Sequence, residues 1–167
     1  YLIATAEQFN KMGGEQYSNT TQGKYYKQTT DIEFPNNTFP AKSFAGTYDG
    51  QGFLITSSGN QNKTLFNEIS GGEVKNLVID GVTVSEDYPT SGGLLCRKFS
   101  SGRIENIIVT NCNYSTNIGY NWGNKVPSGG LIGIMGNGTV SNCCIKGTTI
   151  TSRSITGGLI GEMTGGT

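Results

Sequence analysis

Histidine is missing from the chain. Its absence removes Ser-His-Asp and Cys-His nucleophilic catalysis, histidine-ligated zinc and any His-Glu-x-x-His peptidase. Charge is scarce too: Asp, Glu, Lys and Arg make up 14%, with 12 residues of each sign. There is accordingly no basic field for nucleic acid and no basic helix for a membrane surface. Long apolar runs are lacking, since stretches such as Leu94-Leu95 and Ile107-Ile108-Val109 fall far short of the roughly 20 residues that span a bilayer. No membrane insertion is expected. With 34% apolar residues a large globular core is not expected. The chain opens on Tyr1 with no signal-peptide pattern, as a mature or excised segment would.

Glycine is abundant, at 26 of 167 residues, and it recurs with a period. Gly129-Gly130-Leu131-Ile132-Gly133 is followed by Thr139-Val140-Ser141-Asn142, and related runs occur before and after it. Placing Leu65, Leu94, Leu131 and Leu159 in one column gives spacings by subtraction of 29, 37 and 28 residues, a solenoid-like range. With Asn76, Asn106 and Asn142 in register, Val74, Ile104 and Val140 align, as do Leu77, Ile107 and Cys143, and then Ile79, Val109 and Ile145. Further columns are Val82, Cys112 and Thr148, and Val84, Tyr114 and Ile150. A repeat of about 30 residues cannot bury its own apolar side, whereas repeats stacked about 4.8 Å apart can. The expected fold is all-β, a parallel β-helix (β-solenoid) with a short N-terminal helix and cap.

Thr5 and Gln8 form a capping-box pattern ahead of Phe9 and Met12, predicting a helix over 5–12 that stops at Gly13-Gly14. One strand is predicted from Tyr25 to Phe34, closed by Pro35. The cap is therefore drawn at residues 1–43 and the stacked repeats at 44–167, the last one incomplete. Glycines 72, 102 and 138 are expected at positive φ. The asparagine column is expected to form a structural side-chain ladder. The second repeat is longer than the others by eight or nine residues, a surplus placed at 117–127, which holds the only tryptophan.

The Gly-Gly-Leu-Ile-Gly…Gly-Thr-Val-Ser-Asn run at 129–142, with relatives at 92–106 and 157–166, resembles the GLUG-type repeat of large microbial surface proteins. Ile3 to Phe9, Asp31-Ile32-Glu33 and Phe44 to Gly52 resemble the leader that precedes such repeats, so the likeness covers most of the chain. Asn62-Lys63-Thr64-Leu65 departs from it by lacking the Gly-Gly pair. The resemblance implies the right-handed hand of the helix, a location outside the cell or on its surface, and an adhesin-like setting. It implies no catalytic residue.

Asp49, Glu73, Asp80 and Glu105 are the carboxylates that a carbohydrate-cleaving β-helix could use, but in register they form no cluster, so catalytic residues, cofactors and metal ligands are expected to be absent. A polysaccharide lyase or hydrolase is the remotest of the readings. Cys96, Cys112, Cys143 and Cys144 share no column; Cys112 and Cys143 read as small core residues. Asn-x-Ser/Thr sequons occur at Asn19, Asn36, Asn62, Asn113 and Asn137, a modest excess for a chain with 16 Asn and 34 Ser or Thr, and mark glycan sites in a secreting eukaryote. The functional expectation is a non-enzymatic extracellular stalk, adhesin segment or filament subunit. Its partners would be further repeats or further copies joined head to tail. The alternative is a carbohydrate-binding module whose contacts are Tyr114, Tyr120 and Trp122.

Overall fold

The computed structural model describes residues 1–14, 20–86, 91–116, 126–152 and 154–167. Its elements in chain order are β1 (Leu2–Ile3), α1 (Ala6–Lys11), β2 (Tyr25–Gln28), β3 (Ile32–Phe34), β4 (Lys42–Phe44), β5 (Thr47–Asp49) and β6 (Leu54–Ser57). Then follow β7 (Phe66–Asp80), β8 (Thr83–Glu86), β9 (Cys96–Thr110), β10 (Asn113–Thr116), β11 (Ser128–Gly129) and β12 (Ile132–Met135). The last are β13 (Thr139–Ser141), β14 (Cys144–Lys146), β15 (Thr149–Thr151), β16 (Thr156–Gly157) and β17 (Ile160–Met163). The protein is all-β, and its paired strands run parallel. Among the described residues no helix is long and apolar enough to cross a membrane.

A 12-stranded sheet runs β1-β2-β5-β7-β9-β12-β17, with β4 and β6 also on β7, β13 and β14 also on β9, and β3 on β6. Two smaller parallel sheets are β15-β10-β8 and β11-β16. Parallel neighbours usually need a crossover helix. Here α1 is the only helix among the described residues; β7 reaches β9 through β8 of the second sheet, whereas β2 reaches β5 through β3 and β4 of the same sheet.

The register places Val74 beside Ile104 and Ile104 beside Val140, Ile79 beside Val109 and Val109 beside Ile145, and Val84 beside Tyr114 and Tyr114 beside Ile150. One column differs from expectation. Phe66 pairs with Cys96 and Cys96 with Ile132, so Leu65 and Leu131 share a column with Leu95, not Leu94. The Gly-Gly motif misleads by one residue because Gly92 pairs with Ser128, which puts Leu94 beside Gly130; its N–H donates to the Gly130 carbonyl at 3.3 Å. By subtraction the spacings become 30, 36 and 28. The long repeat thus exceeds the one before it by six residues and the one after it by eight.

Helix α1 begins as the capping pattern requires: Thr5 Oγ1 accepts from the Gln8 N–H at 3.2 Å, and Gln8 Oε1 accepts from the Ala4 N–H at 2.7 Å. The single strand expected over 25–34 is two, because the chain turns at Thr29–Asp31 and Asp31 Oδ1 accepts the Leu54 N–H at 2.9 Å. The boundary drawn at residue 43 falls inside β4, and strands on both sides of it share one sheet and one core.

Aromatic side chains fill the core near the N-terminus. Phe9 of α1 packs edge-on against Phe34 and Tyr48, with centroids 5.4 and 5.2 Å away, and lies 5.6 Å from Phe66. Aliphatic columns fill the middle. At the β13–β17 end Val140, Cys143, Ile145, Ile150, Leu159 and Ile160 pack on the core but stay only partly buried.

Candidate functional site

The outer turn that holds the three expected ladder asparagines is built from left-handed residues: φ is +53° at Asn76, +55° at Asn106 and +52° at Asn142. A short polar side chain tolerates this region better than most. Asn106 Nδ2 donates to Asn76 Oδ1 at 2.9 Å, and Asn76 Nδ2 donates to Asp49 Oδ1 at 3.0 Å. Tyr25 Oη donates to the other carboxylate oxygen at 2.7 Å. A carboxylate can only accept, so Asp49 fixes the direction of the row. Burial raises the Asp49 pKa, but hydrogen bonds from Asn76, Tyr25 and Gln51 outweigh it and hold the carboxyl at about 2. No hydrogen bond links Asn142 to Asn106 among the described residues. A second left-handed corner follows at Gly81, Asn111 and Gly147. The third set of positive-φ glycines is Gly71, Gly102 and Gly138. The first of these is not Gly72, because the pairing of β7 with β9 shifts register between Ser70 and Gly72.

A polar cluster lies inside the molecule. Along β8 the inward positions are Val84 and Glu86, so strand parity drives a carboxylate to 1% exposure. Arg97 donates to Glu86 Oε1 at 3.3–3.4 Å and Tyr114 Oη donates to Oε2 at 3.1 Å. Burial, together with the Glu86 charge, pushes the Tyr114 phenol far above its ordinary value. Gly92 lies beside it, where an added Cβ would clash with Tyr114 Oη. The sequence signal was the alternation Val82-x-Val84-x-Glu86. The arrangement satisfies a buried charge and, among the described residues, brings no second carboxylate to it.

Other chemistry is dispersed. Glu73 lies beside Arg103 and Lys75 beside Glu105 in adjacent strands, and Lys75 pairs with Glu73 at 3.0 Å. Asp80 accepts from Thr110 and Asn111 at 2.5 and 3.0 Å. Among the described residues no three His, Cys, Asp or Glu side chains converge as metal ligands do. All four cysteines are free: Cys96 and Cys112 are buried, Cys143 half-buried and Cys144 exposed. Burial raises the Cys112 thiol to about 11 and moves those of Cys96 and Cys143 the same way, so these three are poor nucleophiles. Lys42, lowered by burial to about 8, borders an open hollow of about 370 Å³ with Thr21, Phe44 and Glu68. Its ammonium is already bonded to the Asn10 and Met12 carbonyls at the end of α1, at 2.7 and 2.6 Å.

Of the expected glycan sites, Asn36, Asn62, Asn113 and Asn137 are exposed, and Asn19 lies outside the described residues. Tyr114 is no surface contact. It points inward from β10 with no exposed surface, because its position alternates with outward Asn113 and Ser115. Tyr120 and Trp122 lie outside the described residues. Comparison of the chain with protein-family models, with curated proteins and with solved structures gave no match.

Proposed function

We propose that the chain is a right-handed β-solenoid that serves as a non-enzymatic structural module at the cell surface or outside the cell: a stalk, an adhesin segment or a filament subunit. The reading rests on the parallel register, in which paired strands of the main sheet lie 22 to 36 residues apart in sequence, by subtraction of paired positions. Inward columns of like residues then stand over one another, as in a stack whose repeats have no separate cores. The scattered carboxylates and buried thiols support a structural role over a catalytic one. The GLUG-type resemblance supports the location.

The two ends support assembly along the stack axis. At one end Phe9 is wholly buried beneath α1. At the other, Val140, Ile145, Ile150 and Leu159 face inward with part of their surface uncovered. A further β layer, of the same polypeptide or of another copy, would bury them and satisfy the free strand edges. Such a head-to-tail contact need not close into a ring. Size measurement of the intact material tests this. Elongated multiples or a longer stacked chain are expected, and a strictly monomeric 17.7 kDa particle would sink the filament form.

A further inference from the structure

One outward column is apolar across four adjacent strands. Leu54 of β6 pairs with Val78 of β7, Val78 with Ile108 of β9, and Ile108 with Cys144 of β14. Parity forces the row outward, because Ile55, Leu77, Ile79, Ile107 and Val109 on either side of it are fully buried. Leu54 and Val78 are half-buried; Ile108 is 44% exposed and Cys144 is exposed too. Two residues further along each strand lies a polar column of Asp80, Thr110 and Lys146. Asp80 and Lys146 carry opposite charges two strands apart, and neither has an ion-pair partner among the described residues.

We propose that this face is a lateral interface between two copies of the chain, related by a two-fold axis that runs along the strands at Ile108. The rotation keeps the column order and reverses the stack. Ile108 then packs on Ile108 of the other copy, Val78 packs on Cys144, and Asp80 meets Lys146 on both sides of the axis. An isologous contact requires this self-complementarity, and the charges choose the register. Moving the axis to lie between Val78 and Ile108 would set Leu54 against Cys144, but it would place Asp80 opposite Thr110 and leave Lys146 without an acid. The apolar row is four side chains wide, against the about 20–30 residues a side of a standard interface, so the dimer is weak and concentration-dependent. This contact is independent of the end-to-end assembly above.

Sedimentation velocity from micromolar to millimolar concentration tests the proposal, since reversible dimerisation is expected in the unsubstituted chain. Ile108→Asp, at an exposed position that leaves the core intact, should weaken association about tenfold or more. Asp80→Lys and Lys146→Asp should each weaken it, and the double variant should restore it. Under an added mild oxidant Val78→Cys should cross-link to Cys144 of the other copy, whereas Leu54→Cys should not. A monomer at every concentration, or preferential cross-linking of Leu54→Cys, would overturn the interface. Open-ended polymers unaffected by Ile108→Asp would overturn it as well while leaving the end-to-end contact standing.

Discussion

Asparagine at a φ near +53° serves both backbone and side chain at Asn76 and Asn106. Replacing Asn76 by Ala puts a Cβ into the left-handed region without the compensating amide and breaks the bonds to Asp49 and Asn106. The expected loss is about 2 kcal/mol. Asn76→Gly keeps the turn and should lose only the hydrogen-bond part, so urea denaturation of the two variants separates backbone from ladder. Asp49 adds a pH signature. Its folded carboxyl, at about 2, lies below the ordinary 3.8, so its stabilisation is complete above about pH 4 and is lost as pH falls towards 2. The effect is on the order of 2 kcal/mol. Denaturation at pH 6 and pH 2.5 should show Asp49→Asn less stable than wild type at the higher pH, with the gap narrowing at the lower. The left-handed turn could be anticipated from its asparagines. Asp49 as terminus of the row could not, since it is 27 residues from Asn76 in sequence and only the parallel pairing of β5 with β7 brings them together.

At the scale of the element, the strands β8 and β10 differ from their neighbours in carrying polar groups inward. Tyr114→Phe removes one donor to Glu86 and should cost about 1–2 kcal/mol. Arg97→Met removes the guanidinium from the buried carboxylate and should cost more, about 3 kcal/mol. The order of the two denaturation midpoints is the check, and a larger loss for Tyr114→Phe would show that the phenol hydrogen bond, not the guanidinium charge, is the stronger support of Glu86. Alternation along β8 already marks Glu86 as inward, but its partners come from β9 and β10 and depend on the pairing register. The same dependence explains the Leu94 and Leu95 exchange: two adjacent leucines fit the motif equally well, and backbone pairing with β12 selects the second.

For the whole molecule the ends matter more than the middle. Phe9 is the one buried side chain that α1 contributes, and it touches Phe34, Tyr48 and Phe66 from three different strands. Phe9→Ala should cost about 3–5 kcal/mol and raise amide exchange first in β2, β3 and β5. Uniform exchange across the chain would mean that the aromatic end does not open separately. The opposite end, with its partly covered inward row, is where self-association along the stack would act, and the apolar column through Ile108 is where lateral association would.

The sequence by itself determined the parallel columns, the short capped helix and the absence of histidine chemistry, because periodicity, capping residues and composition are local properties. Only the tertiary structure decided the one-residue register of Leu95, the burial of Tyr114, the Glu86–Arg97 pair and the apolar outer row. Each of these depends on which residue of one repeat lies beside which residue of the next, and that alignment is settled by backbone pairing over the full length of β7 and β9.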